Sequence, residues 1–330
     1  MIEPVRRLEL VHFQLTRRCN LHCWFCGQQA ENSTFAGRTG GELSLEEWRG
    51  VIEDLEEVRQ KTGASPSVIL WGGEPLVSPH FAPVAEELAR RGFTLGMVTN
   101  GTLLDRYSSL CREVFRQIYV SLDGTPAVHD AVRGAGVYEK VAENLALVRG
   151  GKARITIMSV MTDEAPAQLE RMLDGFALLE PDEVLLQEMI ALSPGEAQAY
   201  RSWLLDSFDL PAPGIAAWVG GEPARRMPHQ WYEEWIARHP YPFPVRHLPH
   251  GAQALRPFCL SPCRHLHVAW DGEVGFCTDF TDFTLGNVRD ASLQQLFTSE
   301  RAERFARQVR QGQCAACEHC SWKNSETFGL

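Results

Sequence analysis

The sequence predicts a mixed α/β fold, a closed or half-closed parallel barrel of six β/α units followed by a smaller cysteine-rich domain. Three observations carry that expectation. Between residue 8 and about residue 189, short β-forming apolar runs alternate with amphipathic helical stretches, the pattern of parallel strands joined by crossover helices. Polar or glycine-rich sequence follows each run, and in such folds the loops at the C-terminal ends of the strands carry function. The ten cysteines are grouped, three at 19–26 and six at 259–320, with Cys111 alone between them.

The elements follow in order. Residues 8–16 are apolar and β-forming and read as a strand delivering the first cysteine group. Ser44 and Glu47 form a capping box that opens a helix over about 45–61. Strand 67–71 ends in Gly72-Gly73-Glu74-Pro75. A helix over about 78–91 stops at Gly92, and strand 94–99 ends at Asn100-Gly101. Helix 103–114, strand 117–122, helix 138–148, strand 154–160, helix 167–179 and strand 183–189 complete the alternation. The proline-rich stretch 191–257 carries two aromatic helices, about 197–208 and 228–238. Its Trp203, Trp218, Trp231, Tyr232, Trp235, Tyr241, His229, His239, His247 and His250 either line a substrate pocket or bridge two domains, and bridging is the reading preferred. After it come a hairpin (265–270 and 274–280 around Asp271-Gly272), a strand at 285–288 and an Arg-rich helix over 299–311.

Composition narrows the function. With 330 residues, 44% hydrophobic, the chain buries a substantial core. A net charge of −10 gives no overall basic field for phosphate backbones, so nucleic acid is a poor partner. No apolar run reaches the about 20 residues that span a bilayer, and the charged N-terminus does not resemble a signal peptide. The expectation is a cytoplasmic protein with no membrane association. Ten cysteines in such a chain point to metal rather than disulfides.

Cys19, Cys23 and Cys26 place three thiols within eight residues. An iron-sulfur cluster usually takes four Cys ligands, so three leave one iron open to a group that is not protein. A zinc knot with His22 as fourth ligand, or three buried apolar cysteines, are the alternatives; zinc prefers two Cys-x2-4-Cys arms, and no second arm lies nearby. The spacing C-x3-C-x2-C, with Phe25 before the last Cys, resembles the signature of the radical SAM superfamily. That resemblance implies a partial (β/α)6 TIM-like barrel, and a 4Fe-4S cluster whose open iron is chelated by S-adenosylmethionine. Cleavage of that molecule yields a 5'-deoxyadenosyl radical, and a flavodoxin- or ferredoxin-type protein donates the electron.

The same resemblance assigns cofactor contacts. Gly72, Gly73 and Glu74 match the GGEP motif that holds the methionine amino group. Asn100, Ser121 and Asp123 face the ribose and methionine carboxylate, Arg133 of His129-Asp130-Ala131-Val132-Arg133-Gly134 pairs with that carboxylate, and Phe25 packs near the adenine. A strand-ending turn and a solvated arginine are the plain alternatives. At the C-terminus, Cys259, twelve residues, Gly272, four residues, Cys277, and then Cys314-Ala-Ala-Cys317-Glu-His-Cys320, resemble the SPASM domain, an auxiliary-cluster module. No cysteine follows Cys320, and two four-iron clusters need eight thiolates. One auxiliary cluster is therefore expected, as in the shortened twitch version, on Cys259, Cys277, Cys314 and Cys317, with Cys263 and Cys320 either replacing one of these or building a second, incompletely ligated cluster; a zinc ribbon stays open.

The expected domains are a radical SAM partial barrel at 1–190, a helical and loop connecting region at 191–257, and a SPASM/twitch auxiliary Fe-S domain at 258–330. The family implies oxidation or cross-linking of a ribosomal peptide or protein. With seven residues before the first strand, a peptide would come on a separate carrier protein or be captured directly. Oxidation of a sugar, cyclitol or other small natural-product intermediate, and a non-catalytic zinc or Fe-S structural protein, are the other readings. No catalytic side chain is identified.

Overall fold

In the computed structural model, residues 6–28, 33–162, 166–220, 227–250, 258–318, 320 and 323 are described. The first strand, β1 (Leu10–Gln14), is buried along its whole length, as a strand covered on both faces must be. Helix α1 (Leu45–Thr62) starts at the expected capping box, Glu47 N donating to Ser44 Oγ and Ser44 N to the Glu47 carboxylate. It ends where Gly63 takes φ +68°, a left-handed turn that glycine enters without strain.

The alternation then runs β2 (Ser67–Trp71), α2 (Phe81–Arg90), β3 (Leu95–Thr99), α3 (Ser108–Val114), β4 (Gln117–Ser121), α4 (Pro126–Arg133), α5 (Val137–Val148), β5 (Arg154–Met161), α6 (Pro166–Ala177) and β6 (Glu183–Glu188). The six strands and their crossovers lie where the sequence places them. Two details differ. Leu104–Tyr107 is a tight 3-10 turn ahead of α3, and α4, with Pro126 in its first turn, is an extra helix.

The connecting stretch supplies α7 (Pro194–Phe208), α8 (His229–Arg238) and a strand the sequence reading lacks, β7 (Val245–Leu248), which pairs in parallel with β6. Four residues after Pro240, Pro242 and Pro244 carry little strand signal of their own; β6 supplies the ladder. The C-terminal segment forms α9 (Ser261–Arg264), β8 (His265–Val268), β9 (Glu273–Gly275), β10 (Gly286–Asn287), α10 (Leu293–Phe297), α11 (Glu300–Arg310) and α12 (Ala315–Glu318). The hairpin is present but shorter than expected.

Among the described residues, all ten strands join one sheet in the order β10-β9-β8-β1-β2-β3-β4-β5-β6-β7. From β8 to β7 every pairing is parallel. Because β8 pairs directly with β1, the C-terminal hairpin extends the barrel sheet rather than forming a separate layer, so the three-part division expected from sequence does not divide the sheet. Helices cover the outer face, where Phe13, Trp48, Phe81, Phe115, Leu173 and Leu186 share one core. On the inner face, Leu10, Ile69, Val98, Tyr119, Met158 and Leu185, one from each of β1 to β6, form a small plug. Beyond it, toward the strand C-termini, the period-two alternation turns His12, Gln14, Trp71 and Ser121 to the interior.

The aromatic residues of the connecting stretch bridge modules. Tyr200, Trp203 and Phe208 of α7 pack on Phe280, Phe283 and Phe305, and Trp203 Nε1 donates to Gln308 Oε1 at 2.8 Å. Between α8 and β7, His247 meets Glu188 at 3.2 Å and His229 at 2.9 Å, with Tyr232 stacked on its ring. Lone Cys111 is buried in α3 and burial pushes its thiol up to about 12, the behaviour of a core residue.

Candidate functional site

The loop after β1 brings Cys19, Cys23 and Cys26 to the rim of a cavity of about 750 Å³, which Phe25, Gly72, Gly73, Glu74, Asn100, Ser121 and Arg133 also line. Residues from four loops, far apart in sequence, meet there. The two glycines are required by the approach of β2 to the cysteine loop. A Cβ on Gly72 would stand 2.7 Å from Thr16 O, and one on Gly73 2.5 Å from Arg17 O. With no side chain in the way, Gly73 N donates to Thr16 O and Glu74 N to Arg18 O, both at 2.8 Å.

Glu74 is fully buried. Its carboxylate accepts from Leu76 N at 3.1 Å, Thr99 Oγ1 at 2.8 Å and Asn100 N at 2.7 Å, tying the ends of β2 and β3 together. Burial pushes the carboxyl up to about 7, against these hydrogen bonds and the positive charge of Arg133. Asn100 in turn reaches the cysteine loop, donating to Asn20 Oδ1 at 3.0 Å and lying 3.8 Å from Cys19 Sγ. Cys19 Sγ also accepts from Leu21 N at 3.4 Å.

Asp123 stands behind the wall. It is fully buried, accepts from Arg133 Nε at 2.6 Å and from Val160 N at 2.9 Å, and so holds the guanidinium toward the cavity. Arg133 lies 5.8 Å from the centre of the Phe25 ring. Burial raises the thiol of Cys23, and the charge of Arg133 is the largest influence drawing it back down. Burial thus keeps the thiol protonated until a bound cation displaces the proton.

A second cavity of about 890 Å³ is lined by Cys259, Cys277, Cys317 and Cys320 with His12 of β1, Tyr200, Ser261 and His265. Cys320, not Cys314, stands on this wall beside the other three. Cys314 Sγ lies 2.7 Å from Cys317 Sγ, beyond the about 2.05 Å of a disulfide. Cys263 is buried near Arg6 and Arg310. Cys277 Sγ accepts from Asp279 N at 3.4 Å and Phe280 N at 3.3 Å. Burial pushes the Cys259 thiol up to about 12, so loading a metal group there must displace a proton.

Among the described residues no three His, Cys, Asp or Glu side chains surround one point closely enough for a single metal ion. A zinc ion imposes that condition, holding its sulfurs about 2.3 Å away. An iron-sulfur cluster does not, since each sulfur binds its own iron.

Several residues here escape a motif search: Asn20 and Thr102 behind Asn100, Gln28 on Gly72 O with Gln14 donating to Gln28, and His12, Tyr200, Ser261 and His265 at the second cavity. The available signal is the pair His12 and Gln14, polar residues alternating inside an otherwise apolar buried strand. Neither cavity is lined by His229, His247 or His250.

An open parallel β/α barrel with three thiols at its rim and a second thiol-lined cavity beside its first strand defines a two-centre iron-sulfur protein. The chain belongs to the radical SAM superfamily: the profile of that superfamily matches residues 13–175, and the iron-sulfur cluster-binding SPASM domain matches residues 259–321. It is a radical SAM enzyme. Its cofactors are S-adenosylmethionine, a 4Fe-4S cluster and at least one auxiliary cluster.

Similar proteins include the AdoMet-dependent heme synthase of Methanosarcina barkeri, 24% identical over 337 residues, 97% of this chain and 91% of that protein. The PqqA peptide cyclase of Streptomyces rochei is 28% identical over 176 residues, 52% of this chain and 46% of that one. Among solved structures, Streptococcus suis SuiB superposes with a TM-score of 0.65 at 11% identity, over 95% of this chain and 72% of that one, a likeness of fold. Among the described residues no helix is long and apolar enough to cross a membrane.

Proposed function

We propose that Cys19, Cys23 and Cys26 hold the radical-generating cluster, and that Cys259, Cys277, Cys317 and Cys320 hold the auxiliary one. S-adenosylmethionine then lies along Phe25, Gly72, Gly73, Asn100, Ser121 and Arg133, and the enzyme oxidises or cross-links a ribosomal peptide or protein. One observation carries the oxidative reading. The inner face of β1 serves both cavities, His12 lining the auxiliary one while Gln14, through Gln28, holds Gly72 at the other. A substrate seated over β1 would face both centres.

When bound, these groups supply a 5'-deoxyadenosyl radical that takes one hydrogen atom from the substrate, and an acceptor for the electron lost in a net two-electron oxidation. The chain's own residues prepare that chemistry. Gly72 and Gly73 let the β2 turn lie against the cysteine loop, and Asn100 ties that loop to β3. Asp123 fixes the Arg133 guanidinium, which offers a carboxylate a charged, two-pronged partner. Reducing electrons come from a flavodoxin- or ferredoxin-type donor.

A small-molecule substrate is the second reading, favoured by the heme synthase, whose similarity runs through nearly the whole chain. Anaerobic incubation of the reconstituted protein with S-adenosylmethionine and dithionite should release 5'-deoxyadenosine; none would remove the radical reading. Mass spectrometry with candidate peptides and with carboxylated tetrapyrroles or cyclitols then separates the substrates. A peptide recovered two hydrogens lighter supports the first reading. Consumption of the small molecule alone overturns it in favour of the second.

A further inference from the structure

The auxiliary cavity holds a polar contact that no cysteine pattern implies. Ser261, two residues after Cys259 at the start of α9 and on the wall of the same cavity, draws the Cys259 thiol down against burial through its backbone N–H and its hydroxyl. The same hydroxyl oxygen lies 3.0 Å from Nδ1 of His265, the first residue of β8. His265 is 8% exposed, lines the cavity, and its Nε2 has no hydrogen-bond partner among the described residues.

The direction of these bonds follows from proton counting. A cysteine sulfur bound to iron has no hydrogen and only accepts, so Ser261 O–H donates to Cys259 Sγ. A hydroxyl has one hydrogen. Its oxygen must therefore accept from His265 Nδ1–H, which leaves Nε2 as the lone pair. The backbone makes the sequence of contacts rigid: one helical turn separates Ser261 from His265, and β8 is anchored to β1 with His265 opposite Leu10.

We propose that His265 and Ser261 form a two-step hydrogen-bond relay onto the sulfur of Cys259 that raises the reduction potential of the auxiliary cluster. Hydrogen bonds to cluster sulfurs favour the more negative, reduced state, and a donor polarised by a second donor does so more strongly. Cys277 already receives two backbone N–H groups; beside Cys259 the donor residue is Ser261, and the relay polarises its hydroxyl. His265 is a positioning residue, acting through Ser261. In an enzyme whose substrate must hand an electron to this cluster, a higher potential makes the cluster a better acceptor.

The inference rests on Cys259 being a ligand, and the two claims are tested apart. The auxiliary cluster is isolated in the full chain carrying Cys19→Ala, Cys23→Ala and Cys26→Ala, reconstituted anaerobically, and titrated redox-potentiometrically by electron paramagnetic resonance. Iron per chain is measured in every variant. If Cys259→Ala keeps all the iron of its parent, the ligand reading fails and the relay with it. If iron is lost, the potentials decide.

Ser261→Ala should load normally and titrate at a lower potential. His265→Phe, which keeps a ring but has no N–H, should shift the same way by less. The double variant should match Ser261→Ala alone, because histidine acts only through the hydroxyl, and Ser261→Thr should keep the parent value. An unchanged potential in Ser261→Ala, or additive shifts in the double variant, overturns the relay. Should Ser261→Ala fail to load, His265→Phe against Ser261→Thr decides: equal potentials in the two reject the relay, and a lower value in His265→Phe alone supports it.

Discussion

Replacing Gly73 by alanine tests the packing on which the first cavity depends. The new Cβ would lie 2.5 Å from Arg17 O and 2.6 Å from Arg18 C. Both neighbours are backbone, so no rotamer relieves the clash and the cysteine loop must move away from β2. That movement breaks the bonds from Gly73 N to Thr16 O and from Glu74 N to Arg18 O. Two such bonds contribute about 2 kcal/mol together, and the overpacking adds about 1–3 kcal/mol. The sum, about 3–5 kcal/mol, is a large part of a typical domain's stability. It falls on the loop carrying Cys19, Cys23 and Cys26. Iron analysis after anaerobic reconstitution should therefore show a loss of about four irons per chain, with the auxiliary set retained, and at least a hundredfold drop in 5'-deoxyadenosine formation. Gly50→Ala is the control: it lies exposed in the middle of α1 with nothing within 4 Å of its Cβ position, and should stabilise the helix by about 1 kcal/mol with activity intact. A Gly73→Ala protein with full iron and the wild-type rate would refute the packing argument.

Other expectations can be checked alongside. Cys320→Ala should lose auxiliary iron, and Cys314→Ala should lose less, because Cys320 lines the cavity with Cys259, Cys277 and Cys317; iron and sulfide analysis decides, and equal losses would put Cys314 among the ligands. Glu74, its carboxyl raised to about 7, should show an infrared band of a protonated carboxyl at pH 6 that is absent from Glu74→Gln and disappears as the pH rises above about 8. Since the folded value exceeds that of an unfolded glutamate, the linked stability is fully present below about pH 4.5 and declines as the pH rises through 7. Arg133→Met leaves the buried Asp123 carboxylate without its charged partner, the Val160 N–H remaining, a loss of about 3–5 kcal/mol; thermal melts should show a large drop, and Asp123→Asn in the same background should recover part of it.

Some of this protein was legible from local chemistry alone. Strand and helix positions from β1 to β6 follow from hydrophobic period and capping residues, because an amphipathic segment announces its own periodicity. Cys19, Cys23 and Cys26 announce themselves because ligands on one short loop must be close in sequence. The GGEP turn could be placed, but the reason for its glycines lay in the carbonyls of Thr16, Arg17 and Arg18, more than fifty positions earlier in the chain.

What only the tertiary structure decided depends on partners distant in sequence. Strand β7 is held by β6, and β8 by β1, and neither pairing has a local signal beyond a few β-branched or aromatic residues. That Cys320 and not Cys314 stands on the cavity wall beside Cys317 is visible only in the folded chain, because the spacing of the three cysteines is the same. His12 and His265 meet, with ring centres 6.3 Å apart, because parallel pairing of β1 with β8 aligns residues more than 250 positions apart. Sequence determines what each segment prefers by itself. Burial and strand register determine which segments share a face, and a site assembled across strands exists only at that level.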